Sequence, residues 1–251
     1  MGINLFPDQK SCPFDCPYCE VFPFSTNAVF SLQQMEEDLR SVIADAGGRN
    51  IPVMDICFSG NGEPSLSPDF SEALKLATSI RGELAPSAKL VLITNGAGLL
   101  DQKIFPLLVE AAAPSNEGDN PLALDIWLKL DAGTPHWYQL INRAEIPHDK
   151  LIAKIKEFAA LAPFTIQTML CTVEGKAPSE EEARAWENLV VELAAIAPIG
   201  RIRKIQIYGK ARPSPDDPIA QELPVANLEE RAASLKKALG NSSQIPIEIF
   251  P

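Results

Sequence analysis

The chain has 251 residues, 46% of them hydrophobic and 22% charged, and its 33 acidic against 22 basic side chains leave a formal net charge of −11. That length and apolar content suit a large buried core and exclude a disordered chain, while the acidity disfavours a nucleic-acid partner, whose phosphates want lysine and arginine. The longest charge-free stretch, Phe158 to Val173, has 16 residues and contains Pro163, Thr165 and Gln167, short of the ~20 apolar residues of a membrane span.

The first strand is expected at Ile3–Phe6, followed by a cysteine-bearing loop. A helix over Leu32–Ala46 starts at the capping box Ser31 and Gln34 and ends at Gly47-Gly48. Val53–Ser59 reads as the second strand, and Ser67-Pro68 opens a helix over Phe70–Glu83. Strand Lys89–Thr94, helix Gln102–Ala112, a surface loop at Ala113–Pro121 and strand Ala123–Leu130 come next. Helix Asp149–Leu161, strand Phe164–Thr172, helix Glu180–Ala197 (boxed by Ser179 and Glu182) and strand Ile202–Tyr208 complete the series. Beyond Ala211 lie a proline-rich linker, a helix over Leu228–Leu239 and a short run at Pro246–Phe250.

Each strand is too continuously apolar to have one wet face, so both faces are covered. Six strand-helix repeats call for a parallel α/β sheet, either an open or partial barrel or a doubly wound sheet. One domain over residues 1–212 with a small C-terminal appendage at 213–251 is the expected organisation. Nothing in Met1 to Lys10 reads as a signal peptide, so the expectation is a cytoplasmic protein with no membrane partner.

Cys12, Cys16 and Cys19 stand in a CxxxCxxC pattern, while Cys57 and Cys171 lie in apolar runs and read as small buried hydrophobes. An odd count without an export signal does not read as a disulfide framework. Three soft thiolates from one loop can hold three corners of an iron-sulfur cube and leave the fourth iron open to a ligand. A structural zinc site would want a fourth ligand nearby, yet the next cysteine is 38 residues on and the histidines are His136 and His148. An electron-transfer cluster without further chemistry stays open as an alternative. After the second strand comes Gly60-Asn61-Gly62-Glu63, where the glycines allow close backbone approach and Glu63 offers a carboxylate. Both motifs follow strands, at the carboxyl edge where parallel α/β sheets build their sites.

These residues resemble the radical S-adenosylmethionine (SAM) superfamily. Within it the resemblance is closest to the Fe-S oxidoreductase branch related to wyosine synthases, through Gly2-Ile3-Asn4-Leu5, Cys19-Glu20-Val21, Ile93-Thr94-Asn95-Gly96, Lys129-Leu130-Asp131-Ala132 and Leu140-Ile141-Asn142-Arg143. The resemblance implies a partial (β/α)6 TIM-type barrel with a 4Fe-4S cluster on Cys12, Cys16 and Cys19. It also implies SAM on the open iron, cleaved reductively to methionine and a 5′-deoxyadenosyl radical that takes hydrogen from a substrate. Glu63 and the Gly60, Asn61 and Gly62 backbone would hold the SAM amino group, and the backbone at Tyr18 would meet adenine. Thr94, Asn95, Lys129 and Asp131 are placed to reach the carboxylate or ribose, and Gln167 to face the same cavity. A flavodoxin or ferredoxin would deliver the electron.

Only eleven residues precede Cys12, so the first strand is short, and no upstream cysteines supply the second cluster of wyosine-type enzymes. With the negative charge, this disfavours a tRNA-modifying role and leaves a small-molecule substrate as the expected partner. One basic segment, Arg201, Arg203, Lys204, Lys210 and Arg212, interrupts the acidity. If Arg143, Lys210 and Arg212 converge at the cavity mouth, they form a funnel for an anionic substrate; if each meets a surface acid, they do not.

Overall fold

A computed structural model describes residues 1–113, 124–197, 202–240 and 244–251. The expected surface loop at Ala113–Pro121, apart from Ala113 itself, and Arg201 of the basic segment lie outside the described residues. The chain packs as two compact units. The first comprises Met1–Cys12 and Pro23–Ile126, the second Pro13–Phe22 and Trp127–Pro251.

In the first unit, β1 (Gly2–Ile3), β2 (Asp55–Phe58) and β3 (Lys89–Thr94) pair in parallel in chain order. Helices α1 (Leu32–Gly48), α2 (Phe70–Leu84) and α3 (Ile104–Ala112) alternate with them. The first strand is shorter than expected because Asn4 turns the chain: its Oδ1 accepts from the Phe6 amide at 3.1 Å, an Asx-type turn that competes with the strand. The first helix runs through Gly48 rather than ending at Ala46. Strand residues Ile56, Phe58, Leu90 and Leu92 are buried with Phe70, Leu74 and Ile80 of α2, and Phe58 meets Phe70 edge-on at 5.6 Å.

The second unit contains the end of β4 (Leu124–Lys129), which straddles the division, with β5 (Phe164–Val173), β6 (Ile202–Gly209) and β8 (Ile247–Phe250). β4, β5, β6 and β8 pair in parallel in that order, and β7 (Ala220–Glu222) pairs antiparallel with the end of β5. Helices α4 (Pro135–Ile141), α5 (His148–Leu161), α6 (Glu180–Ile196) and α7 (Val225–Leu239) lie between strands. Strand order follows chain order in each unit, with no reversal such as a doubly wound sheet requires. β1 in the first unit and β8 in the second are open edges. The fold is α/β with parallel strands in an open sheet, the order of a partial barrel.

Among the described residues one α-helix and one strand were not expected from sequence, α4 and β7. The signal for α4 was present, since Thr134 is its N-cap, accepting from the Trp137 amide at 3.2 Å, and Pro135 occupies the first helical position. β7 is three residues long and owes its conformation to pairing with Cys171–Val173, a tertiary influence that no local pattern encodes.

The capping boxes form by halves. Ser31 and Ser179 accept from the amides of Gln34 and Glu182, at 3.3 and 3.1 Å. The Gln34 side chain turns to Asp38 instead. That of Glu182 reaches across to the loop after β4, accepting from the Gly133 amide at 2.5 Å, the Thr134 amide at 2.9 Å and the Thr134 hydroxyl at 2.5 Å. Gly133 is pressed so close to α6 that an added Cβ would lie 2.1 Å from the Trp186 nitrogen. Trp186 Nε1 in turn donates to the Leu130 carbonyl at 2.8 Å. Glu182→Ala leaves three partly buried donors without their acceptor, so it should lower stability by about 1–3 kcal/mol. Urea unfolding checks this, and an unchanged midpoint would show that the clamp is dispensable.

Candidate functional site

The first unit builds its half of the candidate residues at the carboxyl ends of β2 and β3. Asn4 Oδ1 accepts from the Asn61 amide at 3.2 Å, and Asn61 Nδ2 donates to the Phe6 carbonyl at 3.3 Å. The Ser11 amide donates to the Asn61 carbonyl at 2.8 Å and the Glu63 amide to the Ser11 carbonyl at 2.9 Å. This bridge is possible because Gly62 lacks a side chain: a Cβ there would sit 1.9 Å from the Ser11 oxygen. Gly60 has φ +131°, which L side chains rarely adopt, and a Cβ would lie 2.9 Å from Asn4 Oδ1. The close approach that these glycines permit is thus made to the chain's own segment leading into Cys12.

Glu63 is 2% exposed. Its Oε1 accepts from the Ser65 hydroxyl at 2.6 Å, the Ser65 amide at 3.2 Å and Thr94 Oγ1 at 2.7 Å, and its Oε2 from the Asn95 amide at 2.7 Å. Burial pushes its carboxyl pKa up, and the hydrogen bonds from Ser65, Asn95 and Thr94 pull against that. No cation pairs with it among the described residues. Asn95 links this carboxylate to the cysteine motif, its side-chain Nδ2 donating to Cys12 Sγ at 3.3 Å while its Oδ1 accepts from the Ala97 amide at 2.9 Å. Thr94, Asn95 and Glu63 therefore form one network with Cys12.

The second unit gathers the rest. Asp131, 7% exposed, accepts through Oδ2 from the Tyr18 hydroxyl and from Asn142 Nδ2 at 2.8 Å, and through Oδ1 from the Met169 amide at 2.8 Å. Lys129 does not pair directly with Asp131. Its ammonium donates to the hydroxyls of Tyr208 and Tyr18 and stands 4.7 Å from the Tyr18 ring centroid and 4.8 Å from that of Tyr208. Asn142 Nδ2 also reaches Cys16 Sγ at 3.6 Å. Burial, with the Asp131 carboxylate adding to it, pushes the Cys16 thiol up to about 11. Gln167 is the register neighbour of Lys129, and its Nε2 donates to Gln206 Oε1 at 2.9 Å. Tyr208 and Asn142 were missed as site residues. Asn142 stood in a stretch carrying the family resemblance, whereas Tyr208 gave no signal beyond ending a strand.

Among the described residues no three His, Cys, Asp or Glu side chains converge on a metal-sized point. The donor chemistry nevertheless fits an iron-sulfur cluster. Two of the three motif sulfurs receive an amide N–H, and desolvation opposes deprotonation of the Cys16 thiol until a metal replaces the proton. Glu63 likewise fits a cationic ligand group, being a buried carboxylate with a raised pKa and no cation of its own. Cys171 is fully buried and Cys57 partly so, with burial raising both thiols.

The cationic funnel does not form. Arg143 pairs with Asp216 at 2.5 Å, Lys210 with Asp217 at 2.8 Å and Arg212 with Glu20 at 3.0 Å, so each charge that was to attract an anion is met by a carboxylate. Lys204 pairs with Glu248 at 3.0 Å.

The fold and these residues define an open parallel α/β protein whose buried polar groups follow successive strands. No family model matches the chain. It is 28% identical over 116 residues to each of two Helicobacter pylori proteins described as UPF0026 protein, a match covering 44% of this chain and 35% of theirs. The chain thus spans about a third of the length of those relatives. Among solved structures, native anSMEcpe with bound AdoMet and a peptide overlays with a TM-score of 0.59 and 16% identity, over 98% of this chain and 62% of that one. Archaeal TYW1 overlays with a TM-score of 0.50 and 14% identity, over 86% of this chain and 66% of that one. At these identities the likeness shows that the chain shares their fold. No described helix is long and apolar enough to cross a membrane.

Proposed function

We propose that the chain is a radical SAM enzyme. Cys12, Cys16 and Cys19 hold a 4Fe-4S cluster, and Glu63 receives the amino group of SAM through Oε2, which accepts a single N–H among the described residues. The observation that carries this reading is the Glu63–Asn95–Cys12 connection. One residue touches both a buried carboxylate lacking a cation and a thiol of the metal-binding motif. An electron-carrying cluster has no use for such a carboxylate.

A cluster bound there supplies one-electron reduction of SAM, with flavodoxin or ferredoxin as the donor; the hard chemistry belongs to the cofactors and the chain orients them. Glu63 fixes one charged end of SAM. Thr94 and the Asn95 amide hold the Glu63 carboxylate in place. Asp131 positions Tyr18 and Asn142, so the segment carrying Cys16 and Cys19 is tied to the loop and helix after β4. The substrate is a small molecule; the paired cations give no support to an anionic one. A tRNA substrate is disfavoured by the net charge of −11.

The test is anaerobic reconstitution with iron and sulfide. The wild-type protein should bind one 4Fe-4S cluster per chain and, given dithionite and SAM, release 5′-deoxyadenosine and methionine. A variant with Cys12, Cys16 and Cys19 all replaced by alanine should do neither, while Cys57→Ala and Cys171→Ala should do both. Iron retained by the triple variant, or a loaded wild-type protein that leaves SAM intact, would overturn the assignment.

A further inference from the structure

Two asparagines stand in equivalent relation to two cysteines of the motif. Asn95 begins the loop after β3 in the first unit, and its Nδ2 lies 3.3 Å from Cys12 Sγ. Asn142 caps the C-terminus of α4 in the second unit, and its Nδ2 lies 3.6 Å from Cys16 Sγ. Neither amide is left to rotate freely. The Asn95 oxygen is held by the Ala97 amide at 2.9 Å, and the Asn95 main chain by Glu63 at 2.7 Å. The Asn142 amide is shared with Asp131 at 2.8 Å, and its backbone amide donates to the Tyr138 carbonyl at 2.9 Å. Both residues are buried, Asn95 to 7% and Asn142 to 3% exposure, so the two amides are held in place by the surrounding packing. Among the described residues, no side-chain amide is directed at Cys19 Sγ.

We infer that Asn95 and Asn142 are positioning residues that set the reduction potential of the cluster by donating N–H hydrogen bonds to the sulfurs of Cys12 and Cys16. An N–H aimed at a ligating sulfur stabilises negative charge on it. An electron added to a thiolate-bound cluster increases that charge, so the donor favours the reduced state. Removing a donor should make the cluster harder to reduce. The inference rests on the cluster reading above and adds what two residues outside the cysteine motif do there. It also assigns Asn95 a partner other than the SAM carboxylate or ribose expected from its place at a strand end.

Asn95→Asp separates donor from scaffold. It keeps an oxygen for the Ala97 amide but removes the N–H and sets a carboxylate against the sulfur. A purely structural role predicts that Asn95→Ala loads less iron but keeps the potential of the loaded cluster, and that Asn95→Asp lowers the potential only through its added charge. The donor role predicts a lowered potential in both, with Asp the lower. The experiment is a redox titration of the anaerobically reconstituted protein without SAM, following the EPR signal of the reduced cluster, for wild type, Asn95→Ala, Asn95→Asp, Asn142→Ala and the double alanine variant. Each alanine change should shift the reduced-to-oxidised ratio at a fixed poise by about tenfold, which is about 59 mV for a one-electron couple, and the double variant should shift it further.

Pulsed EPR of reduced wild-type protein labelled with 15N-asparagine gives a second readout that needs no variant. Weakly coupled side-chain amide nitrogens should appear. Failure of the wild-type protein to take up iron and sulfide would overturn the cluster reading and this inference together. A loaded wild-type protein without amide coupling, or variants with unchanged potentials, would overturn this inference alone.

Discussion

Gly62→Ala should be among the most damaging single substitutions in the chain, lowering stability by about 3–5 kcal/mol. The added methyl would sit 1.9 Å from the Ser11 oxygen and 2.7 Å from the Ser11 carbon. Neither atom is the far end of a flexible side chain, so backbone must move. The movement breaks two hydrogen bonds at once, Ser11 N–H to the Asn61 carbonyl and Glu63 N–H to the Ser11 carbonyl. Cys12 is the next residue, so iron uptake should fall with stability. Gly47→Ala is the control. Nothing lies within 4 Å of the Cβ it would add in α1, and replacing a helical glycine there should stabilise by about 0.5–1 kcal/mol. Urea midpoints decide between them. A Gly62→Ala protein as stable as wild type would mean that the bridge to Ser11 opens without cost.

Glu63 carries the second large effect, and two substitutions divide its roles. Glu63→Ala leaves the buried amides of Ser65 and Asn95 without an acceptor, together with two hydroxyls, and should cost about 3–5 kcal/mol. Glu63→Gln keeps the oxygen that serves Ser65 and Thr94 but sets an amide group opposite the Asn95 N–H, so its stability loss should be smaller. Its loss of SAM affinity should remain large, because the charge-assisted contact proposed between Glu63 and the SAM ammonium is gone. Calorimetry with anaerobically loaded protein measures this. Equal SAM affinity in Glu63→Gln and wild type would leave Glu63 a purely structural acid.

The same carboxyl leaves a mark on the pH dependence. Burial raises its folded pKa, so between the unfolded value of about 4.3 and the folded one the native state holds the proton that the unfolded chain has released. The contribution of this group to stability is therefore full below about pH 4.3 and declines as pH rises through the folded pKa. Glu63→Gln should remove that decline, and a pH series of urea midpoints for the two proteins would reveal it.

Much of this molecule was legible in the sequence because its signals are local. The strand Lys89–Thr94 carries an almost continuous apolar run, as a parallel strand covered on both sides must, and the observed bounds of both it and Ile202–Tyr208 agree to within a residue. Ser31 and Ser179 mark helix starts because a capping hydroxyl acts within one turn. The cysteine spacing is likewise a property of a single loop.

What only the tertiary structure decided concerns where side chains turn once distant segments meet. Periodicity could not choose a sequential sheet over a doubly wound one, since strand order depends on pairing between strands tens of residues apart. Gly62 looked like room for a ligand until Ser11 took that space. Glu182 looked like half of a capping box until Gly133 and Thr134 offered it better donors. Asn95 was expected to reach the SAM carboxylate or ribose, and folding brought it within reach of a sulfur 83 residues away in sequence. Arg143, Lys210 and Arg212 are cations in any reading. Whether they attract an anion was decided by Asp216, Asp217 and Glu20, because a charge already met by a carboxylate at hydrogen-bonding distance has little field left for a ligand.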